Sequence, residues 1–308
     1  MKFKHIILFA LAACLSVNCA SGQQVPSKRV ILFGTTIDPI EQQKASAQLA
    51  KSVGDTKATN WRAKGDQKSK YAFADAGMDM PYRLYIPSAW DGKSQLPLVM
   101  FLHGAFNDEN SYVDADDKLM VKLAEQHGFA LVSVLGYTKL GAYGTSLKLP
   151  AVFGNAEAAV KLRTAVTPEL EKTLELSEKD VINVLEIVKN EYPIDKNAMF
   201  LTGHSMGSGG TWYIGAKYNQ YWKAIAPMSG PFVEEATYPW ERIKDKYIFI
   251  TEGTGATPSF EASRKMYAWM KEKGFKVDYK EVNADHGGMV HLVLPDVFDF
   301  FDHALKAK

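Results

Sequence analysis

Strands alternating with helices along residues 71–308 predict an α/β fold, a mostly parallel central sheet flanked by helices. Three observations carry this expectation. Leu98–Leu102 is a continuous apolar run, and Phe129–Leu135, Ala224–Met228 and Tyr247–Thr251 are mostly apolar, as expected of strands buried on both faces. Segments with helical spacing separate several of them, and glycines close some of those segments. One short turn, Gly203-His204-Ser205-Met206-Gly207, joins an apolar run to a helix-compatible stretch.

The first 22 residues stand apart from that pattern. Lys2 and Lys4 precede the apolar run Ile6–Val17, and Ala20-Ser21-Gly22 follows, which reads as a signal peptide cleaved after Gly22. The run is too short to span a bilayer comfortably. Leu11-Ala12-Ala13-Cys14 also resembles a bacterial lipoprotein box, which would place a lipid anchor on Cys14. Both versions predict export: a secreted or periplasmic protein, or an outer-membrane-associated one if lipidated. Cys14 and Cys19 are the only cysteines, so cleavage after Gly22 leaves neither a disulfide nor a cysteine metal site. The same cleavage moves the formal charge from +1 to −1, with 34 basic against 35 acidic side chains. That balance gives no electrostatic case for nucleic acid or an anionic membrane surface.

Residues 23–70 read as an N-terminal extension. It holds a short strand at Val30–Phe33, a helix over Glu41–Val53 and a polar loop from Gly54 to Lys70. Residues 71–308 form the main domain. Tyr71–Ala74 and Met80–Ile86 pair as a hairpin around Gly77, and Leu98–Leu102 is the first buried strand. Lys118–His127 is helical and stops at Gly128. Gly136–Thr173 interrupts the alternation, either as a substrate-pocket insertion or as a surface loop with a short helix. Ser177-x-x-Asp180 resembles a capping box that opens a helix carrying Val181, Leu185 and Val188. A helix over Phe260–Lys273 closed by Gly274, a last strand over Val277–Val282 and a terminal helix over Val297–Leu305 complete the domain.

The turn around Ser205 has the form Gly-x-Ser-x-Gly in a strand–turn–helix context, that of a nucleophile elbow. Such a turn lifts the serine hydroxyl above the sheet, and the flanking glycines omit side chains that would collide there. The Met206 N–H then faces the site as an oxyanion donor. His103-Gly104-Ala105-Phe106 follows the first buried strand, where Ala105 N–H is the second donor expected, with His103 pinning the loop. His286, in Asn283-Ala284-Asp285-His286-Gly287-Gly288-Met289 after the last strand, is the expected general base. His204 is expected to point away from the reacting centre. This chemistry calls for no metal and no cofactor.

These stretches make residues 71–307 resemble the α/β-hydrolases. The likeness is to secreted bacterial esterases of the polyhydroxybutyrate depolymerase and feruloyl esterase type, which overlap with prolyl-oligopeptidase-like esterases. The resemblance implies an α/β-hydrolase fold and a secreted serine hydrolase cleaving carboxylic ester bonds in a small-molecule or polymer-linked substrate. It also implies an Asp after the penultimate strand, and the matching position holds Ala256. Three readings stand: Glu252 at the end of that strand serves as the acid, Glu234 or Glu235 serves, or the triad is incomplete. The last would make the chain a catalytically weakened binding protein with a hydrolase body.

Overall fold

The computed structural model describes residues 62–145, 153–154, 167–255 and 260–307, together with the backbone of strands β1 (Val30–Leu32) and β2 (Thr35–Ile37). Those two short strands pair antiparallel. The signal-peptide and lipoprotein readings, the helix expected over Glu41–Val53, and Ala256 all lie outside the described residues.

The continuous apolar runs become the middle of an eight-stranded sheet. In chain order its strands are β3 (Gly65–Phe73), β4 (Met78–Ile86), β5 (Leu96–Leu102), β6 (Ala130–Val134), β7 (Ile194–His204), β8 (Ala224–Met228), β9 (Tyr247–Gly253) and β10 (Lys276–Val282). Across the sheet the order is β10-β9-β8-β7-β5-β6-β4-β3. All pairs from β10 to β6 are parallel, and β4 and β3 add an antiparallel edge. Among the described residues five helices flank it: α1 (Ser111–His127), α2 (Pro168–Glu191), α3 (Met206–Lys217), α4 (Phe260–Glu272) and α5 (Met289–Lys306).

Side-chain alternation on β5 shows how both faces are filled. Leu98, Met100 and Leu102 join one core with residues of α2, α3 and α4, including Val184, Trp212 and Met266. Val99 and Phe101 join a second core with α1 and α5, including Leu123, Val293 and Phe298. A strand with an apolar layer on each side has no polar face to show, hence its unbroken apolar run. None of the described helices is long and apolar enough to cross a membrane.

Four boundaries differ from the sequence expectation. The stretch Gly65–Lys70, expected as loop, is the start of β3, paired along its length with β4. It is the edge strand, so polar residues are tolerated, and Lys68 and Lys70 are the kind of charge that discourages edge pairing. Helix α1 begins at Ser111 but is broken at Ala115–Lys118, and its second part ends at left-handed Gly128 as expected. Helix α2 starts at Pro168, not Ser177: Thr167 caps it, accepting from Leu170 N at 3.3 Å, with proline at the first position. Helix α5 starts at Met289 and passes through Pro295. Met289, Val290, Val293 and Leu294 are buried there, and their packing offsets the hydrogen bond the proline forfeits.

The early start of α2 changes the role of Ser177 and Asp180. Both lie mid-helix, and they fasten the chain that leaves β6. Ser177 Oγ accepts from Tyr143 N at 2.9 Å. Asp180 accepts from Gly136 N at 2.8 Å, Tyr137 N at 3.0 Å and the Tyr71 hydroxyl at 2.7 Å. Complete burial pushes the Asp180 carboxyl up to about 6, against these three donors. The first part of the expected insertion, residues 136–145, is thus laid against α2 and α3. Residues 146–152 and 155–166 lie outside the described set.

Candidate active site

Strand β7 feeds directly into α3, and Ser205 occupies the single residue between them at φ 58°, ψ −113°. Left-handed φ is costly for a serine and persists only where the surroundings enforce it. Here the enforcement is backbone against backbone. A Cβ at Gly203 would lie 2.5 Å from Gly207 O and 2.7 Å from Leu102 O, and one at Gly207 would collide with the Leu102 carbonyl. The ends of β5 and β7 and the first turn of α3 therefore pass too closely for any side chain. Ser205 N donates to Met228 O at 2.9 Å, which ties the turn to β8 as well. Ser208, the neighbouring hydroxyl, is occupied: its Oγ donates to Gly230 O at 2.7 Å.

Met206 opens α3, and the first N–H groups of a helix have no acceptor within it. The positive end of the helix dipole lies at the same place. The other expected donor is on the loop after β5. Phe106 N donates to Lys139 O at 3.0 Å and Asn107 N to Gly104 O at 3.2 Å, whereas Ala105 N–H meets no acceptor among the described residues. Both Nδ1 and Nε2 of wholly buried His103 lie 2.8 Å from carbonyl oxygens, those of Gly104 and Leu135. Two carbonyls would favour an imidazolium, but burial outweighs them and holds the pKa down. The Tyr143 hydroxyl donates to His103 O at 3.0 Å, so the chain after β6 supports this loop too.

His286 follows β10 and is 8% exposed. Its loop is pinned by the residues after β9: Thr254 N donates to Val282 O at 2.9 Å and Gly255 N to Ala284 O at 2.8 Å. Asp285, exposed, accepts from Gly288 N at 2.6 Å and shapes the turn into α5. Burial holds the His286 imidazole down to about 4, with Asp285 the neighbouring charge that pulls it upward. His286 Nδ1 lies 2.9 Å from Ser229 Oγ.

His204 sits beneath this histidine, ring centroids 4.6 Å apart. Its Nε2 donates to His286 O at 2.7 Å, and its Nδ1 accepts from the Tyr112 hydroxyl at 2.7 Å. Burial and the neighbouring histidine keep it neutral, far below the usual histidine range. A carbonyl on one side and a hydroxyl on the other fix the tautomer.

The acid candidates take separate positions. Glu252 is fully buried at the end of β9, where it accepts from Ser263 Oγ of α4 at 2.6 Å. Glu234 accepts from Thr237 Oγ1 in its own turn at 2.5 Å, and Glu235 is exposed. Ser229, which the sequence did not single out, is the residue whose hydroxyl stands against His286. No pattern marks it: a serine after an apolar strand has no charge and no spacing to distinguish it. Among the described residues, no group of three or more His, Cys, Asp or Glu side chains is gathered to hold a metal ion.

A serine at left-handed φ between a central parallel strand and a helix, with a histidine after the last strand, is the arrangement of the α/β-hydrolases. The chain belongs to the esterase family, whose model matches residues 74–274, well over half its length. No curated protein sequence matches it. Among solved structures it is similar to a thermostable esterase at 22% identity and TM-score 0.57, covering 77% of this chain and 62% of that one. It is similar to an S-formylglutathione hydrolase from Staphylococcus aureus at 12% identity and TM-score 0.59, covering 77% and 98%. A ferulic acid esterase from Anaeromyces mucronatus gives 18% identity and TM-score 0.55, covering 80% and 96%. These likenesses establish a common fold, in agreement with the sequence expectation.

Proposed function

We propose that this esterase-family protein is an exported serine hydrolase that cleaves carboxylic esters through an acyl-enzyme on Ser205. The observation that carries the reading is the strained Ser205 conformation, closed in by glycines at 203 and 207 that admit no Cβ. A fold retains such a turn at a cost, and its chemical use is to present a hydroxyl to a carbonyl. In the first step the Ser205 Oγ–carbonyl bond forms and its proton passes to His286 Nε2. The Met206 and Ala105 N–H groups hold the oxyanion. His286 then gives the proton to the leaving alkoxide, and water repeats the sequence on the acyl-enzyme.

Glu252, fully buried at the end of β9, is the competing carboxylate for the third position. The alternative, a weakened hydrolase that binds an ester without turning it over, draws its support from Ala256. A small-molecule or polymer-linked ester suits the reading, and a structural relative crystallised as a ferulic acid esterase supports it by analogy. Export rests on the Lys-flanked run Ile6–Val17.

The test is hydrolysis of an activated short-chain ester by the mature protein, with a fluorophosphonate probe locating the nucleophile. Turnover abolished in Ser205→Ala, with the label on Ser205, is the expected result. Tight binding of an ester without turnover would favour the weakened reading, and label on Ser208 would refute the assignment.

A further inference from the structure

We propose that Ser229 is the positioning residue of this site, its hydroxyl holding His286 in the place where serine-hydrolase triads use a carboxylate. The inference rests on the assignment of Ser205 and His286 above. Ser229 immediately follows β8, is 1% exposed and has φ 53°. Its N–H donates to Thr251 O at 2.8 Å, which binds it to the end of β9. The next carbonyl, Gly230 O, accepts from Ser208 Oγ at 2.7 Å and Trp212 Nε1 at 3.2 Å, which binds the same turn to α3. The turn is thus clamped from two sides in a conformation that serine avoids, with its hydroxyl 2.9 Å from His286 Nδ1.

The chemistry follows from the hydroxyl's valence. To take the Ser205 proton, Nε2 must be unprotonated, so Nδ1 carries the imidazole hydrogen and donates it to Ser229 Oγ. A serine oxygen has two lone pairs to accept it and keeps its own proton throughout. Tautomer and ring orientation are therefore fixed as a carboxylate would fix them. What the hydroxyl itself does not supply is the negative charge that stabilises an imidazolium. Near His286, His204 on β7 is neutral and Asp285 is exposed. Burial keeps the base uncharged into the acid range, and the hydroxyl gives it geometry without charge.

The experiment compares Ser229→Ala, Ser229→Asn, Ser229→Asp, Glu252→Gln and Ser205→Ala on an activated ester, each checked by thermal unfolding. Asn and Asp are close in shape and both tolerate left-handed φ, so that pair isolates charge even if the Ala variant folds poorly. Ser229→Ala should lower kcat by about tenfold with KM within about twofold, and Ser229→Asn should restore most of it, the part of the triad's effect due to orientation. Ser229→Asp should raise kcat by about tenfold or more and move the acid limb of kcat/KM from near pH 4 toward about 6. Glu252→Gln should leave that limb in place. The proposal is overturned if Ser229→Ala keeps the parent kcat, if the limb stays put in Ser229→Asp, or if Glu252→Gln moves it. Residual turnover in Ser205→Ala would instead overturn the assignment of the nucleophile itself.

Discussion

The two halves of this site are built by different means. At Ser205, backbone meets backbone: β5, β7 and α3 converge so closely that Gly203 and Gly207 are sterically required. At the histidine, side chains and loop carbonyls do the work. Tyr112, His204 and Ser229 hold His286 through a hydroxyl, an imidazole and another hydroxyl. A steric requirement leaves one residue type and hence a motif. A hydrogen-bonding requirement can be met by several residue types from several places in the chain, and leaves none.

The largest expected effect tests the steric half. Gly207→Ala would drive a methyl group into the Leu102 carbonyl, and neither backbone can step aside. Destabilisation of about 3 kcal/mol or more is expected in urea unfolding, with loss of fluorophosphonate labelling. A variant of parental stability would show that the crossing is looser than described and would erase the contrast.

A smaller effect probes the hydrogen-bonded half. Tyr112→Phe removes the donor to His204 Nδ1 and leaves a buried ring nitrogen without it. Thermal unfolding should register a loss of about 1–2 kcal/mol, and kcat should fall a few-fold as the His286 carbonyl loses its fixed partner. An unchanged kcat would mean that the residues after β9 hold the histidine loop without His204.

The smallest effect concerns Glu109, in the segment between β5 and α1 and 1% exposed, whose Oε2 has no hydrogen-bond partner among the described residues. Burial first, and then neighbouring Asp108, push its carboxyl up to about 7 from an ordinary value of 4.5. Because the folded-state value is the higher one, its contribution to stability is present below about pH 4.5 and lost as pH rises through about 7. Glu109→Gln should therefore match the parent at pH 5 and exceed it by about 1 kcal/mol at pH 8 in chemical unfolding. His286 contributes with the opposite slope. Its pKa is depressed to about 4, so its share is lost as pH falls from the ordinary value of 6.5 toward 4. A Gln variant equally stabilised at both pH values would show that Glu109 does not titrate in this range.

The α/β layering, the places of the buried strands along the chain and the elbow at Ser205 were legible in the residues alone. Each rests on local chemistry: a strand covered on both faces needs an unbroken apolar run, and a crossing without space for a Cβ needs glycine. The start of α2 at Pro168, the passage of α5 through Pro295 and the role of Asp180 were decided by packing. In each, a locally ambiguous signal gave way to contacts with residues tens of positions away, such as Gly136 and Tyr137 for Asp180. Ser229 is the extreme case. Its sequence neighbourhood says only that a strand ends, and 57 positions separate it from the histidine it faces. Only the adjacency of the β8, β9 and β10 ends brings a plain hydroxyl to an imidazole, since a side chain's partner across a sheet is fixed by strand order and register.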